Sequence, residues 1–250
     1  MNKFHLGYLP LSLITHVLKP KKQSEFRTFL ILKYNNPQIA FYKSQKVAYL
    51  ECEDELHYSF KTFTRHLTKL YKLGYISLDK NGGIYIRGYE YLFIALELEH
   101  NRRKVELSKA HLSKDNFKSY LNGVIVGELA RRKRYNAIYG ELKKDGLYQP
   151  NIAKKLLKRD KTYPLSARYL SKVLNIPSST IHPYLMDARQ KGYIGYKTNI
   201  EPLNLPYSCL KALRADYEEG NPYPVSFGGF VFLRHPDRYC PVLHTKRIKF

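Results

Sequence analysis

Twice in this chain an amphipathic helical segment runs into Gly-Tyr-Ile and then into a short strand. That recurrence constrains the fold more than any other feature of the 250 residues. The first copy spans residues 59–87, SFKTFTRHLTKLYKLGYISLDKNGGIYIR. Phe60, Phe63, Leu67 and Leu70 recur at spacings of three and four, which predicts a helix. Ser59 is its candidate N-cap and Gly74 its stop. Residues 75–78 and 84–86 then predict two strands joined through Asp79-Lys80-Asn81-Gly82-Gly83, a run of turn residues. The second copy spans residues 165–198, LSARYLSKVLNIPSSTIHPYLMDARQKGYIGYKT. Ser166 caps a short helix carrying Tyr169, Leu170, Val173 and Leu174, and Asn175-Ile176-Pro177 breaks it. Ser178 or Ser179 caps a second helix carrying Ile181, Leu185 and Ala188, with Pro183 in its first turns. Gly192 ends that helix, and residues 193–197 resume as a strand.

Charge then narrows the class of partner. The chain carries 43 Lys and Arg against 21 Asp and Glu, a net +22. With 44% hydrophobic and 14% aromatic residues it is no disordered polycation. The charge is uneven: residues 1–50 hold +7, 51–100 hold −2, 101–150 hold +7, 151–200 hold +8 and 201–250 hold +2. Three basic clusters stand out, Lys19-Pro20-Lys21-Lys22, Arg102-Arg103-Lys104 and Arg131-Arg132-Lys133-Arg134. Self-repulsion of this size is tolerated when phosphates neutralise it, so the expected partner is a polyanion. The 23 tyrosines suit half-buried packing, with base stacking on single strands as the alternative. Cys52, Cys209 and Cys240 are odd in number and far apart, which is no disulfide framework and suggests a reducing cytoplasm. Residues 4–18 are apolar but broken by Pro10, His5 and His16, and read as part of the fold and not as a signal peptide or membrane span.

Enzymatic and cofactor chemistry finds little support. His235, Cys240 and His244 do not have a usual zinc spacing. Neither Gly-rich nucleotide fingerprint occurs, and Gly228-Gly229 is a turn. Gly123 and Gly127 flank Val124-Ile125-Val126, as a close helix contact or a hairpin. His-x-x-Arg occurs at His100–Arg103 and His235–Arg238 without the pattern that tyrosine recombinases surround it with. No cofactor, metal or small-molecule ligand is expected, and the chain reads as a binder, not an enzyme.

The two segments resemble the winged-helix family of helix-turn-helix DNA-binding proteins, the second more closely, through LNIPSSTIHPYL and the strand after it. The first resembles it in SFKTFTRHLTKLYKLGYI and the turn that follows, and departs upstream in the acidic run Glu51-Cys52-Glu53-Asp54-Glu55. The resemblance implies that the second helix of each motif enters the major groove. It carries Lys61, Thr62, Arg65, Thr68, Lys69 and Lys72 to the DNA in the first copy, with Arg65 forking onto guanine and Lys69 or Lys72 reaching phosphates. In the second copy the corresponding residues are Ser179, Thr180, His182, Pro183, Met186 and Gln190. Phosphate anchors there are Arg168, Lys172 and Lys197. Lys80 and Arg87 of the first wing, and the run Arg131, Arg132, Lys133 and Arg134, complete the expected DNA-binding set.

The expected architecture is therefore α+β: tandem winged helices, mainly helical, with small antiparallel wings. The first domain covers residues 1–100, with a helix over 24–34. Residues 101–115 form a charged linker or linking helix. Residues 116–250 form the second domain, with a helical region over 116–144, a short helix over 208–217 and a terminal β-hairpin of 230–233 and 239–243 before a basic tail at 246–249. If this C-terminal stretch pairs with 193–197, the second wing is an elaborated sheet. The expected function is sequence-specific binding of double-stranded DNA, with transcription regulation as the leading output. The alternatives are a plasmid or phage replication initiator binding origin repeats, and a non-enzymatic adaptor using winged helices on protein or RNA. Both motifs read one site from a monomer, or each serves a homodimer. The expected location is the cytoplasm, on the nucleoid in a bacterium.

Overall fold

The computed structural model describes residues 5–18, 22–35, 41–98, 103–146, 151–152, 156, 162–215, 222–243 and 245–247. The chain divides into two compact units, Met1–Ile125 with Leu243–Phe250, and Val126–Val242. It is an α+β protein, and its described residues form helices and four small antiparallel sheets. Among the described residues no helix is long and apolar enough to cross a membrane.

Unit 1 opens with β1 (His5–Pro10) and α1 (Leu11–Leu18), followed by α2 (Gln23–Asn35) and β2 (Phe41–Tyr42). The central helix is α2. Phe26, Phe29, Leu30, Ile31 and Leu32 are all buried, so no single apolar stripe is visible along it. Next come α3 (Gln45–Leu56) and α4 (Phe60–Lys72), separated by three residues. They pack Ala48, Cys52 and Leu56 with Phe63, Leu67 and Leu70 into the same core. Ser44 caps α3 by accepting from Val47 N, and Ser59 caps α4 by accepting from Thr62 N. The hairpin β3 (Ile76–Leu78) and β4 (Ile84–Ile86) pairs with β2 in the order β2-β4-β3. Asp79 Oδ1 holds its turn by accepting from Asn81 N at 2.8 Å and Gly83 N at 2.6 Å. Then follow α5 (Tyr89–Ala95), β5 (Arg103–Ser108) and the start of α6 (Phe117–Lys144), whose residues from Val126 belong to unit 2.

Unit 2 repeats that order. The later part of α6 is followed by β6 (Tyr163–Pro164), α7 (Ala167–Leu174), α8 (Ser178–Gln190) and β7 (Ile194–Lys197). An insertion carries β8 (Ile200–Pro206), α9 (Leu210–Ala215), β9 (Tyr223–Phe227) and β10 (Phe230–Arg234), with a sheet of order β8-β10-β9. The chain then returns through β11 (Arg238–Pro241) to give the order β6-β11-β7. In both units the first strand of the motif pairs with the third, and the third with the second. Unit 1 closes its last two strands with a tight turn, whereas unit 2 places a second sheet there.

The two copies share backbone detail as well as order. The residue after the first helix of each pair is left-handed, His57 at φ 56° and Asn175 at φ 53°. Each donates its N–H back into the helix, His57 to Glu53 O and Asn175 to Ser171 O. The second helix of each pair ends at Gly74 (φ 74°) or Gly192 (φ 72°), where a side chain is strained. The following tyrosine N–H returns to the helix, Tyr75 to Leu70 O and Tyr193 to Ala188 O, and is buried. The Gly-Tyr-Ile wording is thus a helix stop, a core anchor and the first residue of a strand.

Several expectations change. The expected linker at 101–115 contains β5, which pairs with β1 and with the C-terminal strand β12 (Thr245–Arg247) in the order β1-β5-β12. Val105 and Leu107 are buried between charged neighbours, and that alternation makes the segment a strand. The chain accordingly divides near residue 125 and not at 100–115, and its last residues return to unit 1. Of the basic tail, 246–247 lie in β12; 248–249 lie outside the described residues. The expected terminal hairpin does not form, because β10 pairs with β8 and β9 while β11 pairs with β6 and β7. Pro177, and not Ser178 or Ser179, occupies the N-cap of α8, without a side-chain cap. Gly123 and Gly127 lie within α6, and a Cβ on Gly127 would come 2.9 Å from Pro241 Cα, so this glycine permits close packing of helix on strand.

Candidate nucleic-acid interface

In unit 1 the turn at His57-Tyr58-Ser59 presents α4 with its apolar side inward and its polar side out. Lys61, Arg65, Thr68, Lys69 and Lys72 are exposed and Thr62 is half-buried. Lys69 is held by the buried carboxylate of Glu25, with Nζ to Oε1 at 2.6 Å. Burial raises the Glu25 carboxyl, but the Lys69 hydrogen bond and charge outweigh it and leave the group below its ordinary value. The Thr68 hydroxyl donates to Thr64 O at 3.0 Å. The strongest outward cations on this helix are therefore Lys61, Arg65 and Lys72.

The floor beneath this face is polar and well ordered. Arg27 of α2 is buried and donates to the carbonyls of Leu112, Leu56 and Glu55, the Leu56 bond being 3.1 Å. It thereby ties the end of α3 to the segment before α6. His66, on the inner side of α4, shares a 2.8 Å hydrogen bond with Thr28 Oγ1 and packs edge-on to Tyr58 at 5.1 Å. Burial lowers its pKa, and the charges of Arg65, Lys69 and Arg27 add to that against Glu25. On the β3–β4 turn Lys80 is exposed, and the Arg87 guanidinium, just past β4, stacks over Tyr91 at 4.3 Å.

In unit 2, Ser179, His182, Pro183 and Gln190 are exposed on α8, and Thr180 and Met186 are half-buried. Arg168 and Lys172 on α7 and Lys197 at the end of β7 are exposed. Arg189 is also exposed, stacked over Tyr196 at 4.2 Å, a cation that helix periodicity had not singled out.

The basic run on α6 does not act as one patch. Four consecutive helical residues point around most of a turn. Arg132 and Lys133 are exposed, and Lys133 Nζ lies 4.9 Å from the Tyr169 ring centre. Arg131 donates to Glu128, Nε to Oε2 at 2.7 Å. Arg134 is buried and donates to Leu156 O at 2.7 Å, which ties it into the fold instead of presenting it with the other three. Of the other clusters, Lys19, Pro20, Lys21 and Arg102 lie outside the described residues. Two cations that motif reasoning missed, Lys114 and Lys118, share a cavity with Thr62 and Arg65. They sit some fifty residues from α4 along the chain, and no local pattern marks that proximity.

Comparison of the chain with known proteins finds no matching family model, no matching curated protein and no matching solved structure.

Proposed function

We propose that this chain is a sequence-specific double-stranded DNA-binding protein built on two winged-helix motifs, and that it regulates transcription. One observation carries the reading: α4 follows a three-residue turn and exposes Lys61, Arg65 and Lys72 while its opposite face is core. A helix presented in this way fits the major groove, where an arginine fork reads guanine and lysines take phosphates. The repeated order of elements in unit 2 supports a second reading helix, α8, whose outward side is polar, with Asp187 paired to Lys191 and Arg189 exposed beside it. Base edges would be read there by Ser179, His182 and Gln190, with Arg168, Lys172 and Lys197 on the backbone.

Selection of bound duplexes from a random library at about physiological salt tests this, because non-specific binding then falls to about micromolar or weaker. The expected result is a motif of two half-sites about 10 base pairs apart. Promoters carrying that motif identify a regulator; repeats of it at an origin identify a replication initiator. Enrichment of nothing, with binding that vanishes as salt rises, removes both recognition helices from the account.

A second reading has one observation behind it. α3 exposes Leu50 (58%) among Glu51, Glu53 and Asp54, a face that suits a basic protein surface better than phosphate. If the selection enriches no duplex, this adaptor reading is the one that remains.

A further inference from the structure

The insertion of unit 2 is a β-ribbon with one open aromatic face. Its stem continues the pairing of β7 with β11. Lys197 lies opposite Arg238, Ile200 lies opposite Arg234, and between them His235 N donates to Asn199 O at 2.9 Å. At the far end Phe227-Gly228-Gly229-Phe230 makes a two-residue turn with both glycines left-handed, at φ 55° and 84°. Strand alternation then sorts the side chains of β9 and β10. Pro224 and Val231 share one side and are buried, as is Leu210 of α9, which packs against β9. Tyr223, Val225, Phe227, Phe230, Phe232 and Arg234 share the other side. Phe227 and Phe230 stand opposite each other at the tip, 58% and 59% exposed, and Phe227 meets Phe232 edge-on at 6.0 Å. At the base, Tyr223 and Arg234 line a cavity with Arg168 of α7 and His182 of α8, so the aromatic face joins the exposed residues of the helix pair.

Size and charge narrow what covers this face. Five residues deep and three strands wide, at about 4.8 Å between strands, it has a plan area of roughly 240 Å². A stable protein partner takes about 800 Å² on each side. A second copy would also bring its own net +22 against this one, whereas a strand of phosphates is drawn to that charge. Among the described residues none on this face is acidic. Glu201 lies opposite Leu233 on the other side and meets His235 at 3.0 Å, while Asp237, beyond β10, takes Arg234 at 3.3 Å. A phenylalanine ring has no polar atom with which to read the base edges that the grooves of a duplex present. It stacks on the face of a base, and an unpaired strand offers that face at every nucleotide. We propose that the face formed by Phe227, Phe230 and Phe232 stacks the bases of single-stranded DNA. This site needs no duplex binding to exist. Only its placement rests on the reading above: where α8 holds a duplex, the captured strand is one opened beside it, as at an origin.

The test uses the full chain with F230W and with F227L/F230L. The chain has no tryptophan, so F230W places the only indole on this face. F227L/F230L keeps the apolar surface and removes the rings. Circular dichroism first establishes that both fold like the parent. Three probes are titrated at about 0.15 M salt: oligo-dT of about 16 nucleotides, a base-free strand of the same length, and a hairpin duplex. Oligo-dT is expected to quench F230W emission, and the base-free strand and the duplex to leave it nearly unchanged. F227L/F230L should bind oligo-dT about tenfold or more weakly than the parent, with its affinity for the base-free strand unchanged. The proposal is overturned if the base-free strand or the duplex quenches as strongly as oligo-dT, or if F227L/F230L binds oligo-dT as the parent does. Oligo-U bound far more tightly than oligo-dT also overturns it and gives the face to RNA. A dimer of the parent that F227S/F230S breaks, with strand binding unaltered, overturns it in favour of a second copy. Quenching by oligo-dT without any selected duplex keeps this site and removes the duplex reading. A selected duplex without quenching does the reverse.

Discussion

Lys69 Nζ lies 2.6 Å from Glu25 Oε1 and fastens the outward side of α4 to the first turn of α2. The carboxylate is 7% exposed and the lysine 54%, so the pair belongs to the rim of the core. Lys69→Ala leaves a buried carboxylate without its partner and is expected to lower stability by about 1–3 kcal/mol. Glu25→Gln removes the buried charge and should be milder. Urea unfolding of the two variants measures the difference. On the selected duplex Arg65→Ala is expected to weaken binding about tenfold to a hundredfold and to relax one base position. Lys69→Ala should change affinity much less, because Lys69 is already engaged within the protein. Equal losses for the two would place Lys69 on the DNA.

Arg27 supplies the largest expected loss of stability. Its guanidinium serves the carbonyls of Leu112, Leu56 and Glu55, and burial lowers its pKa while Tyr58 and Asp115 oppose that. Arg27→Met keeps the stem but orphans those acceptors, with an expected penalty of about 3 kcal/mol or more. Denaturant midpoints measure it. A penalty under about 1 kcal/mol would mean that solvent replaces the bonds.

Acid should destabilise unit 1 in two stages with one sign. The folded His66 titrates below its unfolded counterpart, so the unfolded chain takes up the proton first. Stability is therefore lost as pH falls below about 6.5, until the folded imidazole also protonates. Glu25 is held below its ordinary value, so its contribution persists above the carboxylate range and disappears as pH falls through its folded pKa. Melting temperature followed from pH 8 down to about pH 2 checks both stages. His66→Asn can still reach Thr28 but cannot charge, and it should flatten the upper stage only. A slope unchanged by that substitution assigns the upper stage to another group.

Two glycines should respond to alanine for different reasons. At Gly192 nothing lies within 4 Å of a Cβ, so Gly192→Ala is strained only by its φ of 72° and should lose about 1–2 kcal/mol. At Gly127 the helix gains propensity from alanine but drives a Cβ to 2.9 Å from Pro241 Cα, which is main chain and yields poorly. Gly127→Ala should therefore destabilise by about 1–3 kcal/mol despite the better helix former. Thermal or urea unfolding followed by circular dichroism separates the cases. A stabilised Gly127→Ala protein would mean that β11 moves away from α6 at little expense.

Local signals explain why so much of each motif is legible in the sequence. Ser59 and Ser166 cap the helices expected of them, and α2 fills the helix expected over 24–34. Gly74 and Gly192 stop α4 and α8, and Asp79–Gly83 makes the turn. Each device acts within four or five residues, the range of a helical hydrogen bond or a tight turn. The alternation of β5 is short and carried by Val105 and Leu107 alone, and its charged neighbours made it resemble a linker. Its partners are residues 5–10 and 245–247, at opposite ends of the chain. Ser178 and Ser179 look like caps, yet the neighbouring Pro177 takes the position with its fixed φ.

By itself the sequence determined two helix-turn-strand units, the faces of α4 and α8 that turn outward, and an excess of positive charge. Those properties follow from periodicity, capping and composition, which are local or additive. Tertiary structure alone decided which cations are available. It buried Arg134 against Leu156 O, paired Lys69 with Glu25 and Arg131 with Glu128, and spent Arg27 on main-chain carbonyls. It also brought Lys114 and Lys118 to Thr62 and Arg65 around one cavity. The physical reason is that the state of a charge depends on what surrounds it in space, and those neighbours lie three residues away in one case and some fifty in another.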